Sequence, residues 1–234
     1  MATPIRVFVF SPAFGLPTPG PFALKLLAVM RLLGVEHEVV HEDDTRKGPK
    51  RKNPWIEDDG RRIGDTELIL EHLRASRGMD LDAGLDDEQA AIGHALRRTI
   101  EEHLHQALEW EMFVDDGGWA HTRELFARLP WPVRPLARLS TRRHLAHHLW
   151  ERGLARHTPQ EIAWKAHRDL SAIEALLKRR PWLAADRPTV TDATAFGMLA
   201  PMVYGPLPGP VASAARASSP IVAFCGRMRE RTGL

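Results

Sequence analysis

The sequence predicts an α/β unit over residues 1–76, a linker over 77–85 and an all-α unit over residues 86–234. Three observations carry this reading. Between Ile5 and Leu73, stretches with strand, helix, strand, hairpin and helix character follow one another. Gly, Ser and Asp residues then cluster between Ala75 and Leu85. Beyond that point the apolar spacing is helical throughout.

Ile5 to Phe10 is a β-rich run ended by Ser11-Pro12. A Gly- and Pro-rich loop occupies Ala13 to Gly20. Pro21 suits the first position of a helix that runs through Leu33, with Gly34 closing it. That helix is apolar nearly all round, the pattern of one packed between a sheet and a second layer. A second strand is expected within Val35 to His41, parallel to the first because the crossover is right-handed. Arg46, Lys47, Lys50, Arg51 and Lys52 form a basic cluster, either a solvated loop or a local attraction for an anionic ligand beside Pro54. Asp59-Gly60 between Trp55-Ile56 and Arg61 to Ile63 is a hairpin signal. Asp65 or Thr66 caps a helix whose Leu68, Ile69 and Leu73 share a face. Pro54 heads the first strand of the hairpin, and its bond to Asn53 is a candidate for the cis form.

Downstream, Asp86 to Met112 reads as one long helix that stops at Asp115-Asp116-Gly117-Gly118. Pro130, Pro132 and Pro135 force a break, after which Leu136 to Arg152 forms a basic helix. Thr158-Pro159-Gln160-Glu161 is a capping box opening a helix to about Lys178. Thr189 to Asp192 is a second such start, and a last helix covers Ile221 to Arg231.

A net charge of +2 gives no global case for nucleic acid or a membrane surface. No run approaches the roughly 18 apolar residues of a membrane span. Cys225 is the only cysteine, so no internal disulfide forms and a reducing compartment fits. With no signal-peptide pattern at Met1 to Pro4, a cytoplasmic location is expected. His144, His147 and His148 have helical spacing, and His103 and His105 lie two apart. Without an HExxH motif or a cysteine pair, these read as solvated or cleft-lining histidines, and no metal site is expected.

The strand and helix order of the first unit resembles a thioredoxin-like domain, and with the helical unit behind it the chain resembles the glutathione transferase architecture. Asn53-Pro54 matches that superfamily's cis-proline step, and Asp65-Thr66 its acidic-hydroxyl pair. More narrowly, Pro21-Phe22-Ala23-Leu24-Lys25, Trp55 to Gly60, Gly153 to Ile162 and Arg187 to Gly197 resemble the Fax (failed axon connections-like) group, with metaxins more distant. The resemblance implies glutathione as cosubstrate. Lys52, Asn53 and Pro54 would meet its cysteinyl part, and Asp65 and Thr66 its γ-glutamyl end. It also implies a small hydrophobic electrophile as the second substrate, and a homodimer.

One departure stands out. The superfamily usually activates the thiol with a Tyr, Ser or Cys near the start of the first helix, whereas this chain has Gly20-Pro21-Phe22-Ala23. The nearest hydroxyls are Thr18 and Ser11, and backbone N–H groups at the helix start are the remaining candidates. Trp110, Trp119, Trp131 and Trp150 are either packing residues or the lining of a cosubstrate pocket. The expected function is thiol transfer to a hydrophobic electrophile or a related reduction. The alternative is a non-catalytic ligand-binding or interaction module of the same fold.

Overall fold

The computed structural model describes residues 4–234. Its sheet has the order β2-β1-β3-β4, with β1 (Ile5–Val9), β2 (His37–His41), β3 (Trp55–Asp58) and β4 (Arg61–Gly64). β1 runs parallel to β2 and antiparallel to β3, so that Val7 lies between Val39 and Ile56. The β3–β4 hairpin turns at Asp59 (φ 46°) and Gly60 (φ 78°). Two successive positive φ values are what a two-residue hairpin requires, and Asp-Gly supplies them at low cost.

Helix α1 (Pro21–Leu32) explains its own composition. One side places Ala23, Leu26, Leu27 and Met30 against Ile5, Val7 and Ile56 of the sheet. The other side places Leu24, Ala28 and Val29 in a second core. That core is centred on the buried helix α8 (Val190–Tyr204). α1 and α8 cross closely because Gly197 has no side chain: a Cβ there would lie 2.4 Å from the Pro21 carbonyl oxygen. α2 (Thr66–Arg77) covers the hairpin end of the sheet, and Gly78 closes it at φ 65°. Asp58 at the end of β3 anchors it, accepting from Arg77 Nη2 at 2.5 Å and bonding His72 Nε2 at 2.8 Å.

The long helix expected to Met112 is continuous but not uniform. α3 (Asp87–Arg98) passes into a π-helical turn (Thr99–Leu104) and on into α4 (His105–Phe113). Asp115 to Gly118, expected as a stop, begins a further short helix, α5 (Asp116–Thr122). The Asp115 carboxylate accepts from Gly118 N, and Gly118 is packed so closely on Glu111 that no side chain fits. α6 (Arg134–Glu151) and α7 (Pro159–Leu177) follow. α7 opens with the expected box, Glu161 N donating to Thr158 Oγ1. Asp192 holds the start of α8, accepting from Leu183 N, Thr189 N and Thr189 Oγ1 at 2.8–2.9 Å.

The sequence did not signal α9 (Pro210–Ala217). Its N-terminus is capped from 100 residues away, where the buried Glu111 carboxylate accepts from Val211 N and Ala212 N. α10 (Ser219–Thr232) ends the chain. No described helix is long and apolar enough to cross a membrane.

The two units are joined by charge as well as by apolar packing. Lys25 on α1 is fully enclosed, with Nζ 2.6 Å from Glu67 on α2 and 2.7 Å from Glu101 in the π turn. Arg98 closes the other side of Glu101 at 2.5 Å. A buried ammonium would be costly alone, and two carboxylates on different units compensate it.

Candidate functional site

A cleft of about 960 Å³ lies where the sheet unit meets α4, the α5–α6 connection and α6. One wall comes from the loop beyond β1, the segment between β2 and β3 and the N-termini of α1 and α2. Lys52, Asn53, Pro54, Asp65 and Thr66 all line this wall, and the Asn53–Pro54 bond is cis, as expected. Asn53 Nδ2 donates to the Glu42 carbonyl at 2.7 Å, which fixes the side chain, while its buried Oδ1 has no partner among the described residues. Asp65 is the N-cap of α2: its Oδ1 accepts from Glu67 N at 3.0 Å and Leu68 N at 3.3 Å. Its φ of 85° is unusual for a residue with a Cβ, and such strain is held at a cost of about 1–3 kcal/mol. The wall therefore presents a carboxylate together with a helix N-terminus, groups suited to an ammonium and a carboxylate respectively.

Arg51 of the basic cluster also lines the cleft, next to Lys52. The others mostly face local acids: Arg46 pairs with Asp44, and Lys47 with Glu42. Hydrogen bonding from Arg46 holds the Asp44 carboxyl down at about 2.

The two hydroxyls singled out from the sequence occupy different settings. Ser11 lines the cleft, and its Oγ donates to Asp43 at 2.9 Å. Thr18 is fully enclosed and is not part of the lining; its Oγ1 accepts from Gly20 N at 3.4 Å. At Gly20 a Cβ would stand 3.3 Å from the Phe10 ring, so the α1 N-terminus meets the cleft with backbone alone. Beside it, Ala13 to Leu16 forms a tight turn with Phe14 at φ 57° and Gly15 at φ 71°. That turn presents the Phe14 ring to the cleft. Arg128 crosses the mouth and donates to the Pro12 carbonyl at 2.7 Å.

The opposite wall is mainly apolar, with Leu108, Met112, Phe113, Leu125, Phe126 and Leu145. No tryptophan lines the cleft: Trp110 is packed in the core, Trp119 packs on the lining residues Phe113 and Phe126, and Trp131 and Trp150 are solvent-exposed. The polar groups on this side are chiefly His105 and Glu109, one turn apart on α4, with Thr141 and His144 on α6. His105 packs edge-on against Phe22, ring centroids 5.0 Å apart. Burial holds its imidazole below the ordinary histidine range. Spacing alone could not single out this histidine, because the π turn just before it changes the helical register. No group of three or more metal-ligating side chains occurs among the described residues.

Comparison with known proteins agrees with this fold. Residues 21–118 match the family described as glutathione S-transferase N-terminal domain, and residues 166–228 match glutathione S-transferase, C-terminal domain. The chain is similar to the isoprene-epoxide glutathione S-transferase of Rhodococcus, 29% identical over 83% of this chain and 85% of that protein. It is 30% identical to Metaxin-3 of Danio rerio over 89% of this chain and 69% of the relative. It is 27% identical to Failed axon connections of Drosophila melanogaster over 86% of this chain, but spans only half of that protein's length. Among solved structures, the β-etherase LigF of Sphingobium superposes with a TM-score of 0.65 over 97% of this chain and 95% of that one. At 15% identity that likeness shows the fold alone.

Proposed function

Because the chain belongs to the glutathione S-transferase superfamily, with Fax and metaxin proteins among its relatives, we propose that it binds glutathione in this cleft and adds the thiol to a small apolar electrophile. The observation that carries the reading is the convergence of two recognition elements on one wall. Asn53–Pro54 and the Asp65-capped α2 N-terminus sit beside the α1 N-terminus and face a wall of Leu, Met and Phe side chains. Asp65 takes the γ-glutamyl ammonium, the α2 N-terminus with Thr66 takes its carboxylate, and Lys52 to Pro54 meet the cysteinyl backbone. The sulfur then lies near Gly20-Pro21-Phe22, where the positive N-terminal end of α1 favours negative charge. The electrophile occupies the apolar side. An epoxide fits this role, being compact and uncharged, and the Rhodococcus relative carries that substrate class in its name.

A binding module without turnover is the second reading. It is favoured by the absence of any side chain at Gly20 and by the likeness to Failed axon connections and Metaxin-3. Calorimetric titration with glutathione, followed by an epoxide-conjugation assay on the same sample, separates the two. Heat and turnover support transfer, and heat without turnover supports the module. No heat at millimolar glutathione overturns glutathione binding in either form and leaves an interaction module of the same fold.

A further inference from the structure

We infer that His105 is the group that takes the glutathione thiol proton, in the place of the hydroxyl or thiol missing at the start of α1. The inference rests on the glutathione-binding reading above and assigns its missing base. His105 begins α4 on the wall facing the sheet unit, and its ring touches Phe22, in the first turn of α1. Gly20, at the N-cap of that helix, lines the same cleft. The rings of His37, His72, His103 and His167 are each hydrogen-bonded to a carbonyl or carboxylate, whereas that of His105 meets no such partner among the described residues. Its nitrogens are therefore open to a ligand.

The protonation state agrees with the role. Burial disfavours the imidazolium and outweighs the pull of Glu109, Glu101 and Glu102 toward it, while Arg152 acts in the same direction as burial. At neutral pH the ring is consequently a neutral base, able to accept a proton. A free thiol with a pKa of about 8.5 is mostly protonated at that pH, so transfer to an adjacent imidazole is what creates the nucleophile.

The step balances within the site. The thiol S–H proton passes to a His105 ring nitrogen, leaving a thiolate and an imidazolium. Sulfur donates an electron pair to the electrophilic carbon as the epoxide C–O bond breaks, and its electron pair goes to oxygen. The imidazolium then returns the same proton to that alkoxide. No oxidant, reductant or further co-reactant takes part.

The test is a ¹⁵N-histidine NMR titration of the native protein at neutral pH. The thiolate and the imidazolium form side by side, and each stabilises the other's charge. Saturating glutathione should therefore convert His105 to the imidazolium, while S-methylglutathione, which binds alike but carries no thiol proton, should leave it neutral. The same neutral signal with both ligands overturns the inference while leaving glutathione binding intact. Binding of neither ligand overturns the functional reading and the inference together. His105→Gln provides the kinetic counterpart. Its kcat should fall on the order of a hundredfold with KM little changed. The low-pH limb of kcat/KM should move from below the ordinary histidine range up to about 8.5, the thiol's own value. An unmoved limb and an undiminished kcat overturn it. Should that variant fail to fold, the native-protein titration still decides.

Discussion

Asp65 performs two tasks with one carboxylate, and substitutions can separate them. It caps α2 through Glu67 N and Leu68 N, and it faces the cleft. Asp65→Asn keeps the capping oxygen and removes the charge, so thermal stability should change little while glutathione affinity drops several-fold by calorimetry. Asp65→Ala removes both and should also cost about 1 kcal/mol in denaturant unfolding. Equal affinity in Asp65→Asn and the native chain would detach this carboxylate from the ligand. Lys25 offers a contrasting case, in which charge serves assembly. Lys25→Met leaves Glu101 enclosed with only Arg98 beside it. The cost should approach the lower end of the ~3–5 kcal/mol typical of a broken buried pair. Adding Glu101→Gln to Lys25→Met should recover part of that loss; no recovery would mean that the enclosed carboxylate is not what destabilises the single variant.

The α1–α8 crossing depends on the bare backbone of Gly197. Gly197→Ala drives a methyl against the Pro21 carbonyl and should destabilise by about 1–3 kcal/mol. Gly226→Ala in α10, where nothing lies within 4 Å, should instead stabilise by up to about 1 kcal/mol. Opposite signs in urea melts would tie the difference to packing rather than to helix propensity. The link from β3 to α2 predicts acid sensitivity. Burial pushes the Asp58 carboxyl up, but hydrogen bonds from Arg77 and His72 prevail and hold it below its ordinary range. A carboxyl depressed on folding contributes fully above its unfolded value of about 4, and the contribution disappears as pH falls through the lower folded value. Asp58→Asn should therefore show a flatter loss of stability below about pH 4 than the native chain. These examples also show what was legible in the sequence. The succession of strands and helices in the first unit, α1, the hairpin and the α7 and α8 boxes announce themselves through neighbouring residues. α9 is held by Glu111, far away in sequence, and the Asp115 turn looked like a stop because its two glycines mask a tight approach to Glu111. Lys52, Asn53, Pro54, Asp65 and Thr66 stand out because they flank that hairpin in a stretch that resembles the superfamily's, and all five line one wall of the cleft. Of the facing wall the sequence signals only histidines, as solvated or cleft-lining, and His105 and His144 do line the cleft; Glu109 acquires its direction only after the π turn.

Neither unit contains the cleft. One wall comes from residues 10–66 and the apolar wall from residues 105–145. The α1–α8 packing, the Lys25 cluster and the Arg128–Pro12 bond all cross the same boundary. Heating should therefore give one cooperative transition, with the calorimetric enthalpy equal to the van't Hoff enthalpy. Two resolved transitions would show that the boundary is weaker than its contacts suggest. The π turn has a further consequence, for how this chain can vary in length. A helix adds about 100° of rotation per residue, so inserting or deleting one residue normally turns every side chain beyond it away from its neighbours. A widened turn instead stores one surplus residue while both flanks stay in phase. Thr99 to Leu104 is thus where this long helix tolerates a one-residue change, the core contacts of α3 and α4 remaining where they are. Shortening it there would tighten the segment that carries Glu101 to Lys25 and delivers His105 to the cleft.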